Sequence, residues 1–196
     1  MTRGFVLSAA LGIVVGLAAT PVSADNQGSV GPIPHKLDFT SSVPGAAASD
    51  DTKEVERLLH EGRGAGPNDA DEKGVTALSY AAMHGNVAMA KLLIDQGAWV
   101  DVRDHLGNTA LHFAAQRGSV DVMTLLIDAK APIDVTNKQG VTPLMMAASG
   151  GQPTAVRLLL SHGADVTRQD FTGRDALGWA AGKPAVIQAL RDGKRG

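Results

Sequence analysis

Apolar and small residues recur along this chain every 33 positions, and the recurrence predicts its helices. Leu78, Leu111, Leu144 and Leu177 keep this spacing, and an Ala pair begins three residues after each of them. Further along each unit, Val, Met, Leu and Ile recur at three- and four-residue spacing, which is typical of a helix that buries one face. We therefore predict two helices per unit, a short first helix rich in Ala and a longer second helix packed against it.

Polar residues and glycines mark the predicted helix ends. Thr76, Thr109 and Thr142 precede the first helix, where a hydroxyl caps free backbone N–H groups, and Asp175 takes this place in the fourth unit. A glycine ends each first helix in the three central units, at 85, 118 and 151. Lys130 stands where other units have glycine, so we expect a non-glycine residue with positive φ there, at a cost of about 1 kcal/mol.

The stretches GVTALSYAAMHGNVAMAKLLIDQGAWVDVRD, GNTALHFAAQRGSVDVMTLLIDAKAPIDVTN and GVTPLMMAASGGQPTAVRLLLSHGADVTRQD resemble ankyrin repeats. The resemblance implies an all-α solenoid of about five units, each a β-turn or hairpin tip followed by two antiparallel helices. Three full repeats are expected at 71–103, 104–136 and 137–169. A degenerate N-terminal cap is expected at 46–70 and a shortened C-terminal cap at 170–193, where about three residues are missing.

The first 24 residues have the pattern of a secretory signal peptide, with cleavage after Ala24. The competing interpretation is a membrane anchor, but the apolar stretch is shorter than the roughly 20 residues that span a bilayer. We expect export to the periplasm, with no stable membrane insertion after cleavage. Residues 25–45 are rich in Pro, Gly and Ser and are expected to form a mobile arm, which Leu37 and Phe39 could tether to the first repeat.

Composition argues against several functions. The formal net charge is −2 and the only basic cluster, Lys194-Arg195, is at the end of the chain, so we expect no nucleic-acid partner. No Cys is present, which excludes thiol catalysis and Cys-ligated metals. No nucleophile elbow or phosphate loop appears, so we expect no enzyme, no cofactor, no catalytic residue and no metal site. The alternative is a metal or small-molecule site at His84 and His105.

His112 is the residue of the repeated motif that looks most chemical. The resemblance implies a structural role for it, because the His of the ankyrin T-P-L-H motif bonds the helix-starting Thr and the adjoining repeat. Trp99 replaces the Asp of the GADV pattern, and it either packs on the neighbouring loop or marks a second contact site.

A protein-binding surface is what the resemblance implies for function. Ankyrin partners contact the hairpin tips and the exposed side of the first helix, so we expect a monomer that binds an envelope or periplasmic protein here. A variant of this hypothesis is a stabiliser or inhibitor of an envelope enzyme. Leu106 and Phe171 are either ordinary exposed apolar residues or binding anchors. The residues carried over are Lys73, Val75, Met83, His84, Arg103, His105, Leu106, Asn108, Gln116, Arg117, Lys138, Gln139, Val141, Phe171 and Arg174.

Overall fold

The computed structural model describes residues 42–62 and 66–193, which belong to one compact unit. The predicted signal peptide and residues 25–41 of the predicted arm lie outside the described residues. The described part of the chain contains ten helices in five consecutive pairs, which confirms the all-helical repeat fold. In chain order they are α1 Val43–Ala48, α2 Thr52–Glu61, α3 Ala77–His84, α4 Val87–Asp95, α5 Ala110–Arg117, α6 Val120–Asp128, α7 Pro143–Gly150, α8 Pro153–Ser161, α9 Ala176–Trp179 and α10 Pro184–Gly193.

The helices form two layers. The first helices of the pairs, α1, α3, α5, α7 and α9, contact one another in sequence and form the inner layer. The second helices, α2, α4, α6, α8 and α10, form the outer layer in the same order. Leu78, Leu111 and Leu144 are almost completely buried between the layers, as are the Ala pairs of the three full repeats. Small Ala side chains let the backbones of neighbouring inner helices approach closely, so the repeats stack without large gaps.

The predicted helix boundaries are confirmed at the atoms that define them. The Thr76 hydroxyl accepts from the backbone N–H of Ser79 at 3.2 Å, and Asp175 accepts from Gly178 at 2.9 Å. The glycines at 85, 118 and 151 have φ of 73°, 79° and 73°. Lys130 has φ of 69°, the positive value expected when a non-glycine residue takes this position.

The inner helices of the end units, α1 and α9, are shorter than those of the central units. α1 begins at Val43, so the boundary predicted between arm and cap at residue 45 is misplaced, because residues 43–45 already belong to the first helix. Asn86 joins this unit to the first full repeat, since its amide donates to Asp50 at 2.8 Å and to Thr52 at 2.9 Å. Among the described helices, none combines the length and the apolar character needed to cross a membrane.

Candidate functional site

Each of the four hairpin tips is built around one Asp or Asn side chain, which the sequence analysis missed. Asp71 accepts through Oδ1 from the backbone N–H groups of Lys73 and Val75, both at 2.8 Å. Asp104, Asn137 and Asp170 make the same pair of bonds to the residues two and four positions later. The signal was visible in the sequence, because each of these residues lies three positions before a repeat glycine.

The tips are joined to one another by backbone hydrogen bonds. The N–H of His105 donates to the carbonyl of Lys73 at 2.8 Å, that of Lys138 to Leu106 at 2.9 Å, and that of Phe171 to Gln139 at 3.0 Å. The approach is so close that a Cβ on Gly140 would lie 2.9 Å from the nitrogen of Phe171. These bonds place the predicted tip residues in one continuous row, which we call the tip row.

Side chains strengthen the junction between the second and third tips. The amide of Asn137 donates to Oδ1 of Asn108 at 2.9 Å, and both residues are buried. The guanidinium of Arg103 crosses the same junction and donates to the carbonyl of Thr136 at 2.6 Å. Arg103 is therefore exposed but already oriented by the fold.

Three of the predicted contact residues are not on the surface. Val75, Asn108 and Val141 are only 6%, 4% and 3% exposed, so the prediction that they face a partner is wrong. Each directly precedes the capping Thr of an inner helix, and a residue at this position commonly folds back onto the first turn of the helix. Their N–H groups are also held by the Asp or Asn of their own tip.

The remaining tip residues are exposed and chemically mixed. Leu106 is 57% exposed and Phe171 79%, although both are large apolar side chains. Arg174 is held in place, because it pairs with Asp170 at 3.1 Å and its guanidinium carbon lies 4.2 Å from the centre of the Trp179 ring. The other exposed members of the predicted set in the tip row are Lys73, Arg103, His105, Lys138 and Gln139.

The inner helix of each full repeat presents one accessible stripe. In α3 the stripe consists of Tyr80, Met83 and His84, at spacings of three and four residues, while Ala81 and Ala82 are buried. The equivalent stripe of α5 contains the predicted residues Gln116 and Arg117, which are both exposed. The first position of the stripe repeats every 33 residues as a half-buried large side chain, which the sequence analysis also missed: Tyr80, Phe113, Met146 and Trp179.

Two of these large side chains are fastened to the tips. The hydroxyl of Tyr80 donates to Oδ2 of Asp71 at 2.7 Å, and the indole N–H of Trp179 donates to Oδ2 of Asp170 at 3.0 Å. Burial, together with the bond to Asp71 and its charge, raises the pKa of Tyr80 to about 12. Burial alone would raise the pKa of Asp71, but the hydrogen bonds from Tyr80 and from backbone N–H groups outweigh it and the pKa is lowered. Both groups keep fixed protonation states at neutral pH, which suits a rigid surface.

His112 has the structural position that the resemblance implied. Its Nδ1 accepts from the backbone N–H of Thr109 at 3.1 Å, which places the proton on Nε2. Nε2 then donates to the carbonyl of Val141 in the next repeat at 3.1 Å. The ring is fully buried, and this burial lowers its pKa from 6.5 to about 4. His112 is therefore a neutral link between two repeats.

The two histidines considered for a metal site have separate surroundings. Nε2 of His84 lies 3.1 Å from the carbonyl of Ala48 in the preceding unit. The His105 ring covers Gly74, where an added Cβ would lie 2.9 Å from Cδ2. Within the part of the chain that the structure describes, no group of three or more His, Asp or Glu side chains could hold a metal ion.

Trp99 lies in the loop after α4 and is 66% exposed. It lines a cleft of about 400 Å³ together with residues of the next repeat, including Lys130 and Pro132. The loop junctions before and after this one are each closed by a hydrogen bond to an Asn or Asp side chain. Asn68 accepts from the N–H of Trp99 at 2.6 Å, and Asp134 accepts from the N–H of Asp165 at 3.1 Å. Pro132 occupies the equivalent donor position and has no N–H, so this junction lacks the bond.

Comparison with known families gives a match over most of the chain. A family model described as "Ankyrin repeats (3 copies)" matches residues 45–137 and 125–195. No curated protein matches the chain. The match covers the tips and both helix layers described above.

Proposed function

Because the chain belongs to the ankyrin-repeat family, whose members generally mediate protein–protein interactions and are typically not enzymes, we propose that it is a binding module acting in the periplasm. The binding face consists of the exposed residues of the tip row and the accessible stripes of the inner helices. The first 24 residues, read as a cleaved signal peptide, support the periplasmic location.

The observation that supports this placement best is the exposure of Leu106 in a rigid surrounding. Its backbone N–H is held by Asp104 at 2.9 Å, and its carbonyl accepts from Lys138 in the next tip. A large apolar side chain on a fixed backbone loses little conformational freedom when it is buried by a partner. Phe171, which is still more exposed, offers a second anchor in the fourth tip.

The experiment is crosslinking of the tagged protein in the periplasm, with the Leu106→Asp variant beside the wild type. Val87→Asp is the matched control, because Val87 is an aliphatic residue that is 39% exposed on the outer helix α4. Replacing one buried interface anchor typically costs about 2 kcal/mol or more, a loss of roughly 30-fold in affinity. We expect Leu106→Asp to abolish capture and Val87→Asp to preserve it. Equal capture by both variants contradicts the placement of the binding face.

A further inference from the structure

Charge is divided between the two sides of the repeats. The tips and inner helices of residues 102–117, 135–150 and 168–181 contain five Lys and Arg residues and three Asp residues, a formal charge of +2. In the turns, outer helices and loops of residues 85–101, 118–134 and 151–167, three Lys and Arg residues face six Asp residues, a formal charge of −3. In these three units a basic inner side is therefore opposed to an acidic outer side, whereas the preceding tip and inner helix, residues 69–84, contain one Lys and three acidic residues.

The three carboxylates of the inner side are all engaged. Asp104 and Asp170 each accept two N–H bonds of their own tip, and Asp175 caps α9. Among the described residues, no carboxylate forms an ion pair with three cations of the inner side or with Lys183, which lies in the turn after α9. These four, which we call the basic set, are Arg103, Arg117, Lys138 and Lys183.

The basic set lies along the two edges of the inner helices. Arg103 and Lys138 belong to the tip row, from which the inner helices start. Arg117 is the last residue of α5, and the Lys183 stem lies beside the turn that ends α7, since a Cβ on Gly151 would be 3.4 Å from its Cδ. An eight-residue helix is about 12 Å long, so two pairs of cations are separated by about that distance. Half-buried Phe113 and Met146 lie between them.

We propose that this inner face of residues 102–183 binds an acidic segment of the partner protein that also carries apolar side chains. The proposal rests on the proposed function, and it adds the chemistry of the partner. Carboxylates of the segment pair with the basic set, while its apolar side chains contact Leu106, Phe113 and Met146. Inner helices pack about 10 Å apart, so a segment crossing three units needs about ten residues when it is extended.

A protein segment suits this face better than a nucleic acid. The four cations are spread along two edges around an apolar floor, whereas a nucleic-acid surface concentrates Lys and Arg along the phosphate backbone. The acidic outer side also repels a long polyanion that extends beyond the face. A short acidic segment meets only the inner face.

The test measures binding of labelled peptides to the purified protein by fluorescence anisotropy. The acidic probe repeats the sequence Glu-Glu-Phe-Glu-Glu-Leu twice, a second probe has Gln at every Glu position, and a third is an oligothymidylate of similar length. At about 50 mM salt we expect the acidic peptide to bind at least tenfold more tightly than the Gln peptide, and at about 300 mM salt we expect this advantage to be largely lost.

Charge reversal identifies the surface that binds the peptide. R117E/K138E removes two members of the basic set, and K53E/R157E makes the same change in net charge at exposed positions on the outer helices α2 and α8. We expect the first variant to bind the acidic peptide at least tenfold more weakly and the second to stay within about twofold of the wild type. Thermal unfolding checks that both are folded, and R117Q/K138Q replaces the first variant if it is not.

Two sets of outcomes separate this proposal from the proposed function. Equal binding of the Gln peptide, equal binding of the oligothymidylate, or full binding by R117E/K138E overturns the acidic-segment proposal. If Leu106→Asp still abolishes periplasmic crosslinking in that case, the binding face stands and only the chemistry of the partner is wrong. If neither Leu106→Asp nor R117E/K138E changes crosslinking, the proposed binding face is wrong as well.

Discussion

We expect acidification from about pH 7.5 to about pH 5 to destabilise this protein through His112 by roughly 2 kcal/mol. The side chain is completely buried, and both ring nitrogens are hydrogen-bonded in the neutral form. Protonation would turn Nδ1 into a donor facing the backbone N–H of Thr109, and it would place a charge away from water. The folded protein therefore resists taking up this proton.

The magnitude follows from the two pKa values. In the unfolded chain His112 has its ordinary pKa of 6.5, while burial lowers the pKa to about 4 in the folded protein. Between these values the unfolded state binds more protons, so the free energy of unfolding falls as pH falls from 6.5 to about 4. The free energy of unfolding falls by about 1.4 kcal/mol for each pH unit of this window, so the loss is about 2 kcal/mol at pH 5 and about 3 kcal/mol at the lower end.

The assay is urea unfolding at a series of pH values, followed by circular dichroism, for the wild type and two variants that cannot titrate. His112→Gln keeps an acceptor and a donor, whereas His112→Met has neither and reproduces the residue found at the equivalent Met145. His112→Met should be less stable than the wild type at pH 7.5 by about 1–3 kcal/mol, because the buried N–H of Thr109 and the buried carbonyl of Val141 lose their partner, and His112→Gln should lose less.

The decisive quantity is the change in stability with pH. The wild type should lose about 2 kcal/mol more than either variant between about pH 7.5 and 5, since every other titrating group is shared by the three proteins. Parallel pH dependence of all three proteins would refute the reasoning. So would an NMR titration in which the His112 ring takes up its proton near pH 6.5 in the folded protein.

Two further substitutions test the packing between repeats. Gly150→Ala should destabilise the protein by about 1–3 kcal/mol in thermal or urea unfolding, because the new Cβ would lie 2.2 Å from the carbonyl oxygen of Gln116. Gly178→Ala should be neutral or slightly stabilising, because its Cβ would meet the Arg174 stem at 3.3 Å and Oδ1 of Asp175 at 3.6 Å and no backbone atom. Asn137→Asp should cost about 1–3 kcal/mol at neutral pH although Asp stands in the other three tips, since it loses a buried hydrogen bond to the preceding tip. The control Gln139→Glu adds the same charge at an exposed position and should change stability by less than about 0.5 kcal/mol, and an equal effect of the two would contradict this explanation.

Residues whose role is set within one repeat were predictable from the sequence. The caps at Thr76 and Asp175 and the positive φ of Lys130 depend on a few neighbouring residues, and the 33-residue period supplied the register. The role of His112 followed from the family resemblance, and its bonds agree with that role.

The errors and omissions concern the direction of side chains at the tips. Val75 and Val141 lie next to an exposed turn in sequence, but their side chains point into the stack because the chain enters the inner helix at that point. The row of Tyr80, Phe113, Met146 and Trp179 was missed because four different side chains share one position, and only the layers show that one face of each inner helix is uncovered.

The buried pair formed by Asn108 and Asn137 has a consequence for which repeats become neighbours when the chain folds. Units as similar as these can pair with a wrong neighbour while the chain folds, a known failure of repeat proteins. Asn137 is the only amide among the four tip positions 71, 104, 137 and 170, and the ionised Asp found at the other three cannot donate to Asn108. A tip with Asp in this place would set a carboxylate against the Asn108 oxygen. The pair therefore favours contact between the second and third tips over contact of either tip with another, similar repeat.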